Sequence, residues 1–255
     1  MEMFNIVLLA IEQGITELLP ISSSAHLILT GQLLDIKVDT YLLSVFHLGT
    51  TIATVIYFLP LFLKNISKKS SLLFYTKVIV ATIPVALIGL LFKDIVEQVL
   101  RGNIIIVISL ILWGIVMIFI ESRYTERKEI DPYKISWKQS LTMGFAQILA
   151  LIPGTSRSAI TTIAGIFSGV NKYSAIQFSF ILSIPILLGA SIYGIYEGLP
   201  TEGFTTQHLV GITLSAIVGY ISLQFLKRIK KGKWLSVFGY YRIVLGITIL
   251  LLTLL

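Results

Sequence analysis

Two short runs carry the chemistry of this chain, Gln13-Gly-Ile-Thr-Glu17-Leu-Leu-Pro-Ile-Ser-Ser-Ser-Ala-His26 and Ile152-Pro-Gly-Thr-Ser-Arg-Ser158-Ala-Ile-Thr161. Their prolines, Pro20 and Pro153, stand 133 residues apart. Together the runs hold a carboxylate at Glu17, an imidazole at His26, a guanidinium at Arg157 and six hydroxyls at Ser22, Ser23, Ser24, Thr155, Ser156 and Ser158. That set suits phosphoryl transfer from a diphosphate whose oxygens a metal ion bridges.

Gln13 and Glu17 are four residues apart, so on a helix ending near Pro20 they share a face and present an amide and a carboxylate to one point. Such oxygens suit a hard divalent cation, Mg²⁺ or Ca²⁺. Past the proline, Ser22, Ser23 and Ser24 fall where a second half-helix begins. There, hydroxyls and unpaired backbone N–H groups at the positive end of the helix dipole favour an anion. His26 follows within a turn, in reach of a serine hydroxyl or a phosphate oxygen as base or acid. In the second run Gly154 lets backbone approach a ligand closely, and Thr155, Ser156, Ser158 and Thr161 add hydroxyls. Arg157 can grip phosphate oxygens bidentately, and no Asp or Glu between Lys138 and Lys172 neutralises it.

Plainer readings stand beside these. Hydroxyls in membrane helices bond back to their own backbone or across helices, and Glu17 and Arg157 can pair with each other. His47 either faces the same cavity, as a substrate-binding residue, or bonds helix to helix. Glu12, about 100° around the helix from Gln13, reads as a solvated or interfacial group. His208 reads as interfacial, and Tyr240, Tyr241 and Arg242 as packing or anchoring groups.

The elements that must position these residues lie in a chain too apolar for a water-soluble globule. Of its 255 residues 55% are hydrophobic and 13% charged, with a mean hydropathy of +0.89. Six runs, roughly 41–63, 71–92, 103–120, 174–196, 208–226 and 235–254, approach the ~20 residues that cross a bilayer. The net charge of +7 does not point to nucleic acid, because Lys and Arg gather in the gaps between apolar runs. Lys64, Lys68 and Lys69 mark the first gap, and Arg123, Arg127, Lys128, Lys134 and Lys138 the third. Lys227, Arg228, Lys230, Lys231 and Lys233 mark the fifth. By the positive-inside rule these three loops are cytoplasmic. The second, with Lys93, Asp94, Glu97 and Arg101, and the fourth, with Glu197 and Glu202, face outward.

This topology requires the segment from Asn5 to Lys37 to end outside and the segment from Lys138 to Lys172 to begin and end inside. Each is broken by its proline, so each is expected as two half-helices that dip in and return, from opposite faces. Adding 133 to the first three crossings gives about 174–196, 204–225 and 236–253, close to the second three. The expected fold is an all-α polytopic membrane protein with six crossing helices and two re-entrant helical hairpins. It forms one membrane domain, 1–255, made of two inverted-topology repeats, about 1–133 and 134–255, with a polar site where the broken helices meet. The absence of cysteine excludes disulfides and thiolate chemistry. Met1-Glu2-Met3 lacks a basic leader, so no cleaved signal peptide is expected.

The two runs closely resemble the signature regions of the undecaprenyl-diphosphate phosphatases of the bacitracin-resistance type, and the resemblance extends in length, hydropathy and repeat layout over essentially the whole chain. It implies a bacterial plasma-membrane enzyme that converts the C55 lipid diphosphate to the monophosphate carrier, with its active site open to the outer face. It also implies that the acidic motif linked to a divalent cation falls on Gln13 and Glu17, the essential serine and histidine on Ser23 and His26, and the second motif's serine and arginine on Ser156 and Arg157. Four positions depart from that pattern. Gln13 removes one charge, alanine stands at 25 and 159 where glycine is common, and His47 stands where glutamine is expected.

On this reading Arg157, Ser156, Ser158 and the half-helix N-termini clamp a polyprenyl diphosphate whose tail lies among membrane lipids. Either Ser23 attacks the terminal phosphorus with His26 as base, or His26 activates water. A second class stays open, a transporter or flippase of a lipid phosphate, because broken helices in inverted repeats also mark transporters. Oligomeric state is not written in these residues, and a homodimer stays open with it.

Overall fold

The computed structural model describes residues 2–36, 38–66, 69–198, 203–229 and 232–254. Lys37, Lys68, Glu202, Lys230 and Lys231, used above to assign loops, lie outside these. The helices are α1 (Met3–Leu18), α2 (Ser23–Leu33), α3 (Thr40–Asn65), α4 (Lys69–Leu91), α5 (Lys93–Gln98), α6 (Asn103–Arg123), α7 (Trp137–Ala146), α8 (Arg157–Phe167), α9 (Lys172–Gly198), α10 (Thr206–Arg228) and α11 (Trp234–Leu254). A 3₁₀ turn, Gln147–Leu151, continues α7. No strand occurs among the described residues.

The six expected crossings are all helices, with ends within three residues of those read from the sequence: Thr40–Asn65, Ser71–Leu91, Asn103–Arg123, Lys172–Gly198, Thr206–Arg228 and Trp234–Thr253. Each is long and apolar enough to span a bilayer. Polar side chains set several helix starts. Asp39 accepts from Leu42 N at 2.9 Å, Ser136 and Gln139 cap each other reciprocally, and His208 Nδ1 accepts from Thr205 N at 2.9 Å. His208 is therefore a capping residue rather than only an interfacial one.

Loops expected on one face meet each other. Lys93 of the second loop pairs with Glu197 at the end of α9, and that carboxylate raises the affinity of the Lys93 amine for its proton. At the opposite end Lys172 donates to Glu121 at 2.6 Å and to the Gly232 carbonyl at 2.9 Å, while Glu121 also accepts from Leu235 N at 3.0 Å. The third and fifth loops are thereby tied together.

Helix pairing follows a regular scheme. α1 packs on α10 and α7 on α4, α3 packs on α10 and α9 on α4, and α3 meets α9 as α6 meets α11. The α6–α11 pair is close because a methyl group at Gly114 would meet the Gly239 carbonyl oxygen at 2.8 Å, and one at Gly239 the Gly114 carbonyl oxygen at 2.7 Å. Small residues that let backbones touch are the usual glue where no water drives helices together.

Both proline segments are helix–break–helix hairpins. Each proline forces the residue before it out of the helical region: Leu19 sits at ψ 149 and Ile152 at ψ 116. The second helix of each hairpin then starts after a serine at positive φ, Ser22 at 74° and Ser156 at 70°. Such a conformation in a residue other than glycine costs ~1–3 kcal/mol and persists only where the surroundings impose it. From proline to cap the second break is one residue longer, and Gly154, at φ 91°, takes up the difference.

The breaks leave carbonyls inside an apolar bundle, and one side chain reaches three of them, from both breaks. Arg242 of α11 is fully buried. It donates to the Pro20 carbonyl at 3.4 Å, the Thr155 carbonyl at 3.0 Å and the Gly154 carbonyl, and approaches the Ser109 carbonyl of α6 at 3.5 Å. It is thus neither a lipid anchor nor simple packing but the staple between the two breaks. Hydrogen bonds to a charged donor are worth ~1.5–3 kcal/mol each. Arg242→Leu, which orphans these carbonyls, is expected to lower the melting temperature in detergent markedly, with Arg242→Lys intermediate. A leucine variant that melts like the wild type would contradict the staple.

Candidate functional site

Glu17 lies one turn before the first break, so α1 delivers its carboxylate to the place where both hairpins end. Four other side chains converge on it. Arg157, the first residue of α8, donates Nη2 to Oε1 at 2.9 Å. Ser23, the first residue of α2, donates its hydroxyl to Oε2 at 2.5 Å. Gln13, one turn back on α1, donates Nε2 to Oε2 at 3.4 Å, and His47 Nε2 of α3 lies 3.4 Å from the same oxygen. Arg157 also donates Nη1 to the Ser179 carbonyl of α9 at 3.2 Å, while its buried Nε has no partner among the described residues. Glu17 and Arg157 are 7% and 12% exposed, so the pair sits largely out of solvent and depends on these extra bonds.

Beside this cluster is a cavity of about 270 Å³. Glu17, Ser22, Ser23, Ser24, Ser156 and Arg157 line its polar end, and His47 lies with them. Apolar side chains line most of the rest, among them Ile28 of α2, Leu43 of α3, Val85 of α4 and Ile186, Leu187 and Ala190 of α9. The N-termini of α2 and α8 meet here, so backbone N–H groups without helical partners and the positive ends of two dipoles reinforce Arg157. The arrangement can hold an anion next to a hydroxyl that is already bonded to a carboxylate.

The other expected site residues serve the walls. His26 is not among the residues lining the cavity. Its Nδ1 is 2.8 Å from the Ser22 carbonyl, which can only accept, so Nδ1 carries a proton, and Nε2 bonds to the Tyr241 hydroxyl 2.7 Å away. The structure therefore does not bring His26 to the Ser23 hydroxyl, whose partner is instead the Glu17 carboxylate. Gly154 brings backbone close to α6 rather than to a ligand: a methyl group there would meet the Ile106 carbonyl oxygen at 2.7 Å. Thr155 bonds to Ser109 of α6 at 3.0 Å. Ser158 donates to the Leu19 carbonyl at 3.4 Å, joining one hairpin to the break of the other. Thr161 bonds to the Arg157 carbonyl at 2.7 Å and to Ser179 at 2.5 Å. Glu12 accepts from Thr30 of α2 at 2.7 Å and so joins α1 to α2 rather than standing in solvent.

Sequence reasoning missed three contributors. Arg101, in the second loop, borders the cavity and donates to Thr40 at 3.3 Å; in sequence it is one of several loop charges. Gln147 also lines the cavity. It stands 134 residues after Gln13, the same offset that separates Ser156 from Ser22, so the repeat itself was the signal. Arg242 carried no local signal, because the carbonyls that it serves lie far away in the chain.

The profile described as Bacitracin resistance protein BacA matches residues 6–248. The chain is 36% identical over 262 residues to Undecaprenyl-diphosphatase 1 of Clostridioides difficile (strain 630), covering 98% of this chain and 96% of that protein. It is 39% identical over 270 residues to Undecaprenyl-diphosphatase 1 of Pseudoalteromonas translucida (strain TAC 125), covering 97% of each. To Undecaprenyl-diphosphatase of Enterococcus faecalis it is 36% identical over 271 residues, covering 99% of this chain and 97% of that protein. On a match of this extent, the chain belongs to the bacitracin resistance protein BacA family.

Proposed function

We propose that this protein hydrolyses undecaprenyl diphosphate to undecaprenyl phosphate and inorganic phosphate, recycling the lipid carrier of cell-wall synthesis and conferring bacitracin resistance. The observation that carries this reading is the Ser23 hydroxyl bonded to Glu17 at 2.5 Å, with Arg157 on the other carboxylate oxygen, beside a cavity lined largely by apolar side chains. The relatives' shared name supports the substrate, and the wall of Leu43, Ile186 and Leu187 suits the first part of a prenyl tail.

In the proposed reaction Arg157 exchanges Glu17 for the diphosphate, which offers it more oxygens in bidentate geometry. Glu17 Oε2, already bonded to the Ser23 hydroxyl, takes its proton as Oγ attacks the terminal phosphorus, and Oε1, released by Arg157, is left free. The bond from that phosphorus to the bridging oxygen breaks, and the lipid monophosphate leaves. Water then attacks the phosphoserine, Ser23 recovers its proton, and inorganic phosphate departs. His47 holds Glu17 in place, and His26 and Tyr241 fix the turn that carries Ser22 to Ser24. Transport alone gives no role to a serine bonded to a carboxylate.

A divalent cation, Mg²⁺ or Ca²⁺, belongs to the proposal. Glu17 and Gln13 would hold it, and the buried Gln13 Oε1, which has no partner among the described residues, supports this once its amide turns. When bound, it would neutralise charge on the diphosphate oxygens. Among the described residues no three His, Cys, Asp or Glu side chains gather to hold a metal, so substrate oxygens would complete its shell.

The hairpins are re-entrant and the two halves inverted repeats. The pairing scheme supports this, since exchanging the halves turns α1 on α10 into α7 on α4 and leaves α3 with α9. The cavity opens to the outer face of the plasma membrane, which Arg101 at its edge supports, because the second loop lacks the cationic excess of inner loops.

Purified protein in detergent is expected to release phosphate from undecaprenyl diphosphate with Mg²⁺ or Ca²⁺ and to stop on chelation; release that ignores chelator removes the metal. Arg157→Ala is expected to lose more than ~10-fold in turnover, since charge-assisted bonds worth over ~1.4 kcal/mol vanish. Near-normal turnover in that variant contradicts the clamp. Acid quenching during turnover is expected to trap phosphate on Ser23, whereas full activity of Ser23→Ala would leave water as the nucleophile.

A further inference from the structure

Gln147 opens the 3₁₀ turn between α7 and the second break, lines the cavity and is 1% exposed. Neither its Oε1 nor its Nε2 has a hydrogen-bond partner among the described residues. An amide buried with both ends unmatched is destabilising by ~1–3 kcal/mol for each group, and native structures hold few of them. Such a residue at a cavity wall is satisfied by what enters the cavity. Arg157 Nε, in the same wall, is a second buried donor without a partner among the described residues. Two donors left unmatched beside two helix N-termini call for anionic oxygens.

The repeat offset sharpens the assignment. Gln13, 134 residues earlier, spends its Nε2 on Glu17, but the residue four after Gln147 is Leu151, whose side chain can accept nothing. The second glutamine stands at the corresponding place without such an internal partner among the described residues.

We propose that Gln147 is a substrate-binding residue whose Nε2 donates to a phosphoryl oxygen of the bound diphosphate, while Oε1 accepts from a water or hydroxyl that enters with it. This rests on the diphosphatase reading above for the identity of the substrate, but not for the binding of a diphosphate group.

The test compares wild type, Gln147→Met and Gln147→Glu as full chains in detergent, using inorganic pyrophosphate as a probe and undecaprenyl diphosphate as substrate. Methionine keeps the length and apolar contacts but cannot bond. The methionine variant is expected to melt at or above the wild-type temperature without ligand, because an unmatched amide is gone. It is also expected to lose at least half of the thermal shift given by pyrophosphate, and its KM is expected to rise roughly tenfold with kcat changed less than about threefold. Gln147→Glu, which sets a negative charge against the phosphates, is expected to raise KM further. A methionine variant with the wild-type pyrophosphate shift and KM would overturn the proposal, as would one that melts lower while binding normally, or a wild type that pyrophosphate does not stabilise. A wild type that is stabilised by pyrophosphate yet releases no phosphate from the lipid would remove the diphosphatase reading and leave Gln147 to be decided by the thermal shifts.

Discussion

A carboxylate buried in an apolar bundle has to be surrounded by donors, and Glu17 draws its donors from four helices. Gln13 comes from α1 itself, Ser23 from α2, His47 from α3 and Arg157 from α8. Remove that charge and Arg157 is left buried without a counter-ion, at a penalty that exceeds what most single contacts supply. The pair therefore fixes where the two hairpins meet as much as it prepares chemistry. Among the described residues Arg157 pairs with no carboxylate but Glu17, so in the proposed reaction a phosphate that takes that place would gain a cation and free a carboxylate oxygen.

The second constraint is backbone. A helix broken inside an apolar bundle leaves buried carbonyls that need donors, and the breaks at Pro20 and Pro153 meet at one of them, Arg242. Arg242 meets this need from α11 and so links a helix remote in sequence to both breaks. Ser22 and Ser156 hold the positive φ angles that start α2 and α8 in the right direction, which puts Ser23 and Arg157 at the two helix N-termini facing one cavity. Strain at the caps is the local consequence of bringing two dipole ends to one point.

Much of this was legible in the residues. The six crossings follow from apolar run length, and the breaks from proline among apolar residues with serine behind it. Glu17, Ser23 and Arg157 were readable because ionisable or hydroxyl side chains at that depth need a reason to be there. Three things were not. His26 lies within a turn of Ser23 in sequence, yet its ring turns away to the Ser22 carbonyl and Tyr241, a rotamer outcome that no spacing reveals. Thr155, Ser158 and Thr161 look like ligand groups by type, but packing directs them to α6, to Leu19 and to Ser179. Arg242 reads as an anchor because its partners are carbonyls, which every residue has and no motif marks.

The central claim is that one residue from each hairpin, Glu17 and Arg157, acts as a single device. A double-mutant cycle on phosphate release from undecaprenyl diphosphate tests it most directly, with Glu17→Gln, Arg157→Gln and the double variant. Groups that act as a unit are strongly non-additive, so the double variant should be little worse than the worse single one. Losses that multiply independently would contradict the account and return the two hairpins to separate roles.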